Sequence, residues 1–594
     1  MNTKKTLFLG ILAGLILALG SYFYLDQAQI STNLKRPLSH QEWDDLAKFI
    51  TIQKNSKKSQ ALRPASSVFN QEAQIFLEFR DQRRRIFDLW VDEGPLLTGI
   101  EKGIGDAKNQ LGAERFAKID SMVINIPYGY KEVTLGNLKK SLSNIHRGMR
   151  GLEISIGDKL IRYPPSTFIA SNRSLRKAVK VLLKKHNLSR NDLQSTRAKL
   201  RYFEASQALI LIPERKAKPM FRGNQVLAME DVNKGFVEGL ALLQTSWLKN
   251  NLGVDGKMTY KYWPSSGEYS KNNNMIRQWM ATVCMIRAAK FYGDAELMGR
   301  VLGNIQFNLD SFFIEEDGFG MIEHRGKVKL GALALAALAI FEHPDGQKFA
   351  TYEKALLKTI DKLWHEDGSF TTFYKSPKKV PKHSNANFYP GEALLLLASR
   401  YERHREPKLL HKMMRSIEFY QNWHLNNRNP AFIPWHTQAY YKIWRITKNP
   451  ALQNHIFKMN DWLLGVQQWP EESRFPDTLG RFYDPSRPFG PPHSSSTGVY
   501  LEGLIDAYSL AMAVGDTPRA DSYARSIMRG LRSTAQLTFK DDVDMFYIHH
   551  RERVKGGVRQ TVYNNEIRVD NVQHNLMGIF KILNSFHDRH YQAN

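Results

Sequence analysis

The sequence predicts a mainly α-helical protein in which a ring of six helical hairpins follows a small α+β domain and an N-terminal transmembrane anchor. Three observations carry this reading: an uncharged run from Thr6 to Leu25, β-like alternation in Met122 to Ile126 and Gly151 to Tyr163, and an apolar periodicity from about Asp231 onward that reads as twelve successive helices. With 594 residues, 42% hydrophobic and 11% aromatic, the chain can bury a large core. That composition excludes a disordered polyelectrolyte, a collagen and a disulfide scaffold. The 84 Lys+Arg against 58 Asp+Glu leave a formal charge of +26, which favours a polyanionic neighbour: nucleic acid, anionic lipid or an acidic polysaccharide.

Residues 1–25 narrow that choice. Lys4 and Lys5 precede the uncharged stretch Thr6 to Leu25, and about 20 helical residues, about 30 Å, span a bilayer core. Lysines on the amino side alone place everything after Asp26 outside the cytoplasm. The expected location is therefore the inner membrane, single-pass, with the bulk in the periplasm, and nucleic acid drops out as a partner. Ala18-Leu19-Gly20 before Ser21 also fits a cleavable signal, which would make the protein secreted, whereas the apolar run continuing through Tyr22 to Leu25 favours an uncleaved anchor. The single cysteine, Cys284, sits in an apolar helical stretch and cannot form an intrachain disulfide.

Residues 26–70 are polar, with Lys54, Lys57, Lys58 and Arg63, and read as a tether carrying at most one short helix around Gln41 to Ile52. Residues 71–220 read as a basic α+β domain. Its pattern suggests a helix on Ile75, Phe76, Phe79, Ile86, Phe87 and Trp90, then the two alternating stretches with a Gly157-Asp158 hairpin turn, a helix near Ser174 to His186, and a strand at Ala208 to Ile212. Ser171 to Met220 holds 13 Lys+Arg against 3 Asp+Glu, either a solvated basic face or a docking surface for anionic glycan or lipid.

Residues 231–594 carry helices near 232–251, 272–292, 294–311, 328–343, 346–364, 389–404, 406–425, 433–446, 450–464, 497–514, 517–536 and 570–588. Short connections at Gly293, Pro344-Asp345, Glu406, Lys448-Asn449 and Gly515 alternate with mostly longer ones, so the long loops share one face. A helix as apolar all round as Leu330 to Ile340 must lie inside, and the even-numbered helices accordingly form the inner ring.

The strings YPGEALLLLASRYE (Tyr389 to Glu402), TGVYLEGLIDAYSLAMAVGD (Thr497 to Asp516) and WHEDGSF (Trp364 to Phe370) resemble the six-hairpin, (α/α)6-toroid superfamily of glycosidases, sugar 2-epimerases and the C-terminal domain of glucuronyl C5-epimerases. The resemblance covers about 360 residues and implies a bowl formed by inner-helix N-termini and their preceding loops. In that bowl Glu323, Glu392, Glu502 and Asp570 are the catalytic candidates, because a glycosidase needs one protonated and one ionised carboxyl group. Trp263, Arg277, Tyr389, Trp435, His493, Tyr500, Arg568 and His574 are the substrate-binding candidates, aromatic faces suiting sugar rings and cations suiting carboxylates. Glu392 and Glu502 also fit helix-dipole stabilisation in early turns, worth about 0.3–1 kcal/mol, and His574, four residues after Asp570, is placed for an Asp–His hydrogen bond.

No Gly-rich phosphate loop, dinucleotide fingerprint or cysteine pair occurs, so no cofactor is expected. No metal site is expected either. His549 and His550 are adjacent in an expected strand and would point to opposite faces, and the acidic string Asp541 to Asp544 lies in an expected loop. The function expected is a membrane-tethered periplasmic enzyme hydrolysing or remodelling an anionic cell-envelope or exported polysaccharide or oligosaccharide. A uronosyl C5-epimerase or lyase is the alternative within enzymes, with Tyr389, Tyr500, His493, Arg277 and Arg568 supplying proton transfer and charge. A noncatalytic glycan-binding or envelope-assembly protein, with envelope-assembly partners, is the alternative outside them.

Overall fold

The computed structural model describes residues 37–55 and 63–592, except 93, 195–197, 382, 472, 474, 487 and 488. The anchor expected at 1–25 lies outside the described residues. Among them no helix is long and apolar enough to cross a membrane. The chain divides into two compact units at Gln225/Val226.

The first unit opens within the stretch read as a tether. Helix α1, His40–Asn55, begins with a reciprocal cap: Glu42 N–H donates to Ser39 Oγ (3.3 Å) and Ser39 N–H to Glu42 Oε2 (2.8 Å). It buries Trp43, Leu46, Ala47, Phe49 and Ile50 in the core of the unit, so these residues belong to the folded domain. The helix expected over Ile75 to Trp90 is instead a hairpin, β1 (Ile75–Asp81) and β2 (Arg84–Val91), turning through Gln82 and Arg83 at positive φ. Helix α2, Leu96–Ala117, then packs on both strands.

The expected alternating stretches are β3 (Ser121–Glu132), β4 (Arg150–Ile156) and β5 (Lys159–Tyr163), the last two joined at Gly157. With β6 (Ala198–Leu211) and β7 (Lys216–Met220) they complete an antiparallel sheet ordered β2-β1-β3-β6-β4-β5, β7 pairing the other half of β6. Between them come the short helices α3 (Leu138–Ser141) and α4 (Pro165–Ala170) and the basic amphipathic α5 (Leu175–Lys185).

In the second unit, among the described residues, the twelve expected helices are α6 (Lys234–Asn251), α7 (Met275–Tyr292), α8 (Ala295–Phe312), α9 (Leu330–Glu342), α10 (Ala350–Lys362), α11 (Tyr389–His404), α12 (Pro407–Asn426), α13 (Ile433–Thr447), α14 (Pro450–Leu464), α15 (Ser494–Ala513), α16 (Thr517–Leu537) and α17 (Val569–Ser585). Helices α7, α9, α11, α13, α15 and α17 pack each on the next, and α17 returns to α7, closing the inner ring. The remaining six lie outside it, α8, α10, α12 and α16 each packed on one inner helix, α6 on α17 and α7, and α14 on α13 and α15. Every residue of α9 from Leu330 to Phe341 is buried, as its all-round apolarity requires.

The long loops carry two small sheets. One is built from β8 (Lys261–Trp263), β9 (Glu268–Tyr269), β14 (Arg559–Thr561) and β15 (Asn564–Arg568); the other from β10 (Phe313–Glu316), β11 (Phe319–His324), β12 (Lys327–Lys329) and β13 (Phe373–Lys375). His549 and His550, expected in a strand, lie in a loop.

Candidate active site

A cavity of about 270 Å³ sits at the N-terminal ends of the inner helices α7, α11, α13, α15 and α17. Eight of the twelve candidates line it: Arg277, Tyr389, Glu392, Trp435, His493, Tyr500, Asp570 and His574. Glu502 reaches it through His574. Arg568 stands behind Asp570. Glu323 and Trp263 are not brought there: Glu323, on β11, pairs with Lys375 at 3.3 Å, and Trp263, on β8, donates to Glu566 Oε2 at 3.1 Å.

Glu392 is in the first turn of α11 and 2% exposed, and among the described residues its Oε2 has no hydrogen-bond partner. Burial pushes its carboxyl up to about 8, against the opposing field of Lys329; at neutral pH the group is an acid holding its proton. The seat depends on Gly331 of α9, where a Cβ would overlap Glu392 Oε2.

Glu502 is fully buried and lies in the third turn of α15, too deep for the helix-end stabilisation its position in the sequence suggested. Its Oε1 takes a 2.7 Å hydrogen bond with His574 Nδ1. The expected Asp570–His574 bond is absent from the site. With Nδ1–H donated to the carboxylate, Nε2 is the nitrogen left for proton transfer. Behind the pair, Lys581 Nζ donates to the Glu502 carbonyl and to Asp506 Oδ2, both at 2.6 Å, fixing the backbone that carries the glutamate.

Asp570 is held by two guanidiniums. Arg568 donates to both carboxylate oxygens (2.6 and 2.7 Å) and Arg277 Nε lies 2.9 Å from Oδ2. Despite the opposing effect of burial, the two arginines keep this carboxyl well below the usual range, so it is a fixed anion that orients Arg277 and has no proton to give. Arg277 also donates to the Tyr260 hydroxyl at 2.6 Å and lines the cavity.

His493 caps α15 and is pushed down to about 4 by burial and by Arg568, which leaves it neutral, with Ser495 and Ser496 hydroxyls 2.8 and 3.0 Å from Nδ1. Burial likewise raises the Tyr389 and Tyr500 phenols, keeping both protonated. Trp435 meets His574 edge-on at 5.8 Å.

Sequence reasoning missed Asn274, Phe388, Ser495, Ser496 and Lys329. The signal available was the run of serines after His493 and the asparagines before α7, both N-cap residue types at an inner-helix start. Among the described residues no group of three or more His, Cys, Asp or Glu is placed to hold a metal ion.

No family model matches the sequence, and no curated protein matches it. Solved structures do. A D-mannose isomerase is 12% identical, with a TM-score of 0.46 over 61% of this chain and 99% of its own. A cellobiose 2-epimerase from Bacillus thermoamylovorans is 10% identical, with 0.45 over 58% and 99%. A GH76A α-1,6-mannanase from Salegentibacter is 10% identical, with 0.43 over 60% and 98%. At such values no residue role is transferred, and the helical ring stands on the contacts within this chain.

Proposed function

We propose that the second unit is a carbohydrate-active enzyme that moves protons on an acidic sugar. The observation that carries this is the meeting, in one cavity, of a protonated carboxyl, Glu392, with a histidine, His574, oriented by a buried carboxylate, Glu502. His574 Nε2 is the base that takes the proton alpha to the sugar carboxylate. Arg277 neutralises the charge that builds on that carboxylate, and Glu392 is the acid. Returning a proton to the opposite face of the carbon gives epimerisation. Expelling the neighbouring ring-linking oxygen, which takes the Glu392 proton, gives β-elimination.

Hydrolysis is less well supported. Of the four carboxylates available, Asp570 is committed to two arginines, Glu323 lies elsewhere, and Glu502 is engaged with His574. The neighbours' names, a mannose isomerase, a cellobiose epimerase and a mannanase, are compatible with sugar chemistry of either kind.

The sequence adds a setting to this reading: Lys4 and Lys5 before Thr6 to Leu25 support a membrane-tethered protein acting outside the cytoplasm on envelope or exported glycan. Product analysis on a panel of acidic glycans is the test. An unsaturated, ultraviolet-absorbing product marks a lyase, and unchanged chain length with altered configuration marks an epimerase. New reducing ends with added water mark a hydrolase and overturn the proton-transfer reading. Binding with no turnover on any member favours a noncatalytic glycan-binding or envelope-assembly role.

A further inference from the structure

The catalytic cavity opens beside a larger cleft of about 900 Å³ on the same loop face, roughly three times its volume. The two share a wall. Asn273 lines the cleft and Asn274 the cavity, and the hydroxyl of Tyr260, a cleft residue, accepts the 2.6 Å hydrogen bond from Arg277, a cavity residue. A chain threaded along the cleft would thus arrive at the group that is placed to hold its carboxylate.

The cleft is cationic and aromatic. Lys257 and Lys271 are exposed, and among the described residues neither has an acidic partner; Arg553 joins them, donating to the Asn250 carbonyl at 3.1 Å. Among the described residues that line it, Asp255 is the one carboxylate. His324, on its far wall, is held below its ordinary value by burial and by the positive field of Arg325 and Lys329. Tyr269 leaves 48% of its surface open, although its ring packs against Tyr262 at 5.0 Å. An open aromatic face backed by a second ring is a platform for a sugar ring, and unpaired cations along the same groove suit one carboxylate per residue of a polymer.

We infer that this cleft holds the non-reacting residues of a polyuronate, so that the enzyme acts on an anionic polysaccharide chain in preference to a free sugar. The inference rests on the sugar-acid reading of the cavity and extends it to substrate length. An aromatic platform and two lysines placed outside the cavity bind chain without touching the reacting carbon, and their energy appears as KM on polymer.

The test uses the full chain with alginate and polygalacturonate as probes, dextran as the neutral control, and Tyr269→Ala and Lys257→Ala/Lys271→Ala as variants. These are surface positions whose folding is checked by thermal unfolding. Affinity electrophoresis reads binding and is independent of catalysis. Wild type should be retarded by the polyuronates and not by dextran, and each variant should bind about tenfold more weakly, the scale of losing an aromatic anchor. Where turnover is found, the variants should raise KM on polymer and leave the shortest substrate unaffected.

Wild-type binding that the variants retain in full places the polymer elsewhere, including on the basic first unit, and overturns the inference. So does retardation by dextran equal to that by polyuronate, or no retardation at all. Polyuronate held in the cleft without turnover would leave the inference standing and remove the proposed reaction.

Discussion

At the scale of single residues, the protonation of Glu392 has two measurable consequences. Glu392→Gln removes the acid and should lower turnover about a hundredfold or more while binding persists, read as kcat and KM on the same preparation. Because the wild-type group holds its proton up to about pH 8, activity that needs it should fall as pH rises through that value. Stability follows the same group. Its folded value lies above the ordinary 4.5, so the folded state loses stability relative to the unfolded as pH rises from about 4.5 to about 8. The difference in Tm between Glu392→Gln and wild type should therefore grow in favour of the variant across that window. Asp570 behaves oppositely. Its folded value is depressed below 3.8, so its contribution is present above that pH and disappears as pH falls below it. Asp570→Asn, which leaves Arg568 and Arg277 without their shared anion, should cost about 3 kcal/mol by denaturant unfolding at neutral pH.

At the scale of elements, the close approach of inner helices sets the site. Gly331→Ala puts a methyl group where Glu392 Oε2 sits and should cost about 1–3 kcal/mol; thermal unfolding reads the loss, and a displaced activity pH profile reads the moved carboxyl. The twelve ring helices were legible because each is long, apolar with helical period and set off by loops of alternating length. The hairpin β1–β2 was not, since Ile75, Phe79, Ile86 and Trp90 fit a helical spacing as well as they fit β1, buried on both faces, and the half-buried β2. Helix α2 was hidden by Gly99, Gly103, Gly105 and Gly112, residues that weaken a helix in isolation. The structure gives two of these a use: a Cβ at Gly99 or Gly103 would meet the side chains of Ile75 and Leu77, so glycine lets α2 lie close on β1. The site was legible as a place, the inner-helix starts, but not as a set of partners. His574 was expected to bond Asp570 four residues away, and bonds Glu502, 72 residues away, because the successive inner helices α15 and α17 pack on each other.

At the scale of the whole molecule, charge and topology give the remaining expectations. A chain of net charge +26 acting on an acidic polymer should show KM rising with ionic strength between about 50 and 200 mM salt, as screening shortens the reach of its field; a salt-independent KM would separate the basic charge from substrate capture. Under the proposed topology an alkaline phosphatase fused after Asn594 should be active, and a reporter active only in the cytoplasm would reverse the topology read from Lys4 and Lys5. The central claim is that His574, oriented by Glu502, takes a proton from carbon with Glu392 as the acid. Its most direct test is solvent-deuterium exchange at the carbon beside the sugar carboxylate, followed by NMR during turnover of a polyuronate in deuterated water. Wild type should either incorporate deuterium there, by epimerisation, or convert that carbon to the sp2 carbon of an unsaturated residue, by elimination, and His574→Gln should lose either signal about a hundredfold; shortened saturated chains carrying solvent oxygen, with no deuterium on carbon, would contradict the account.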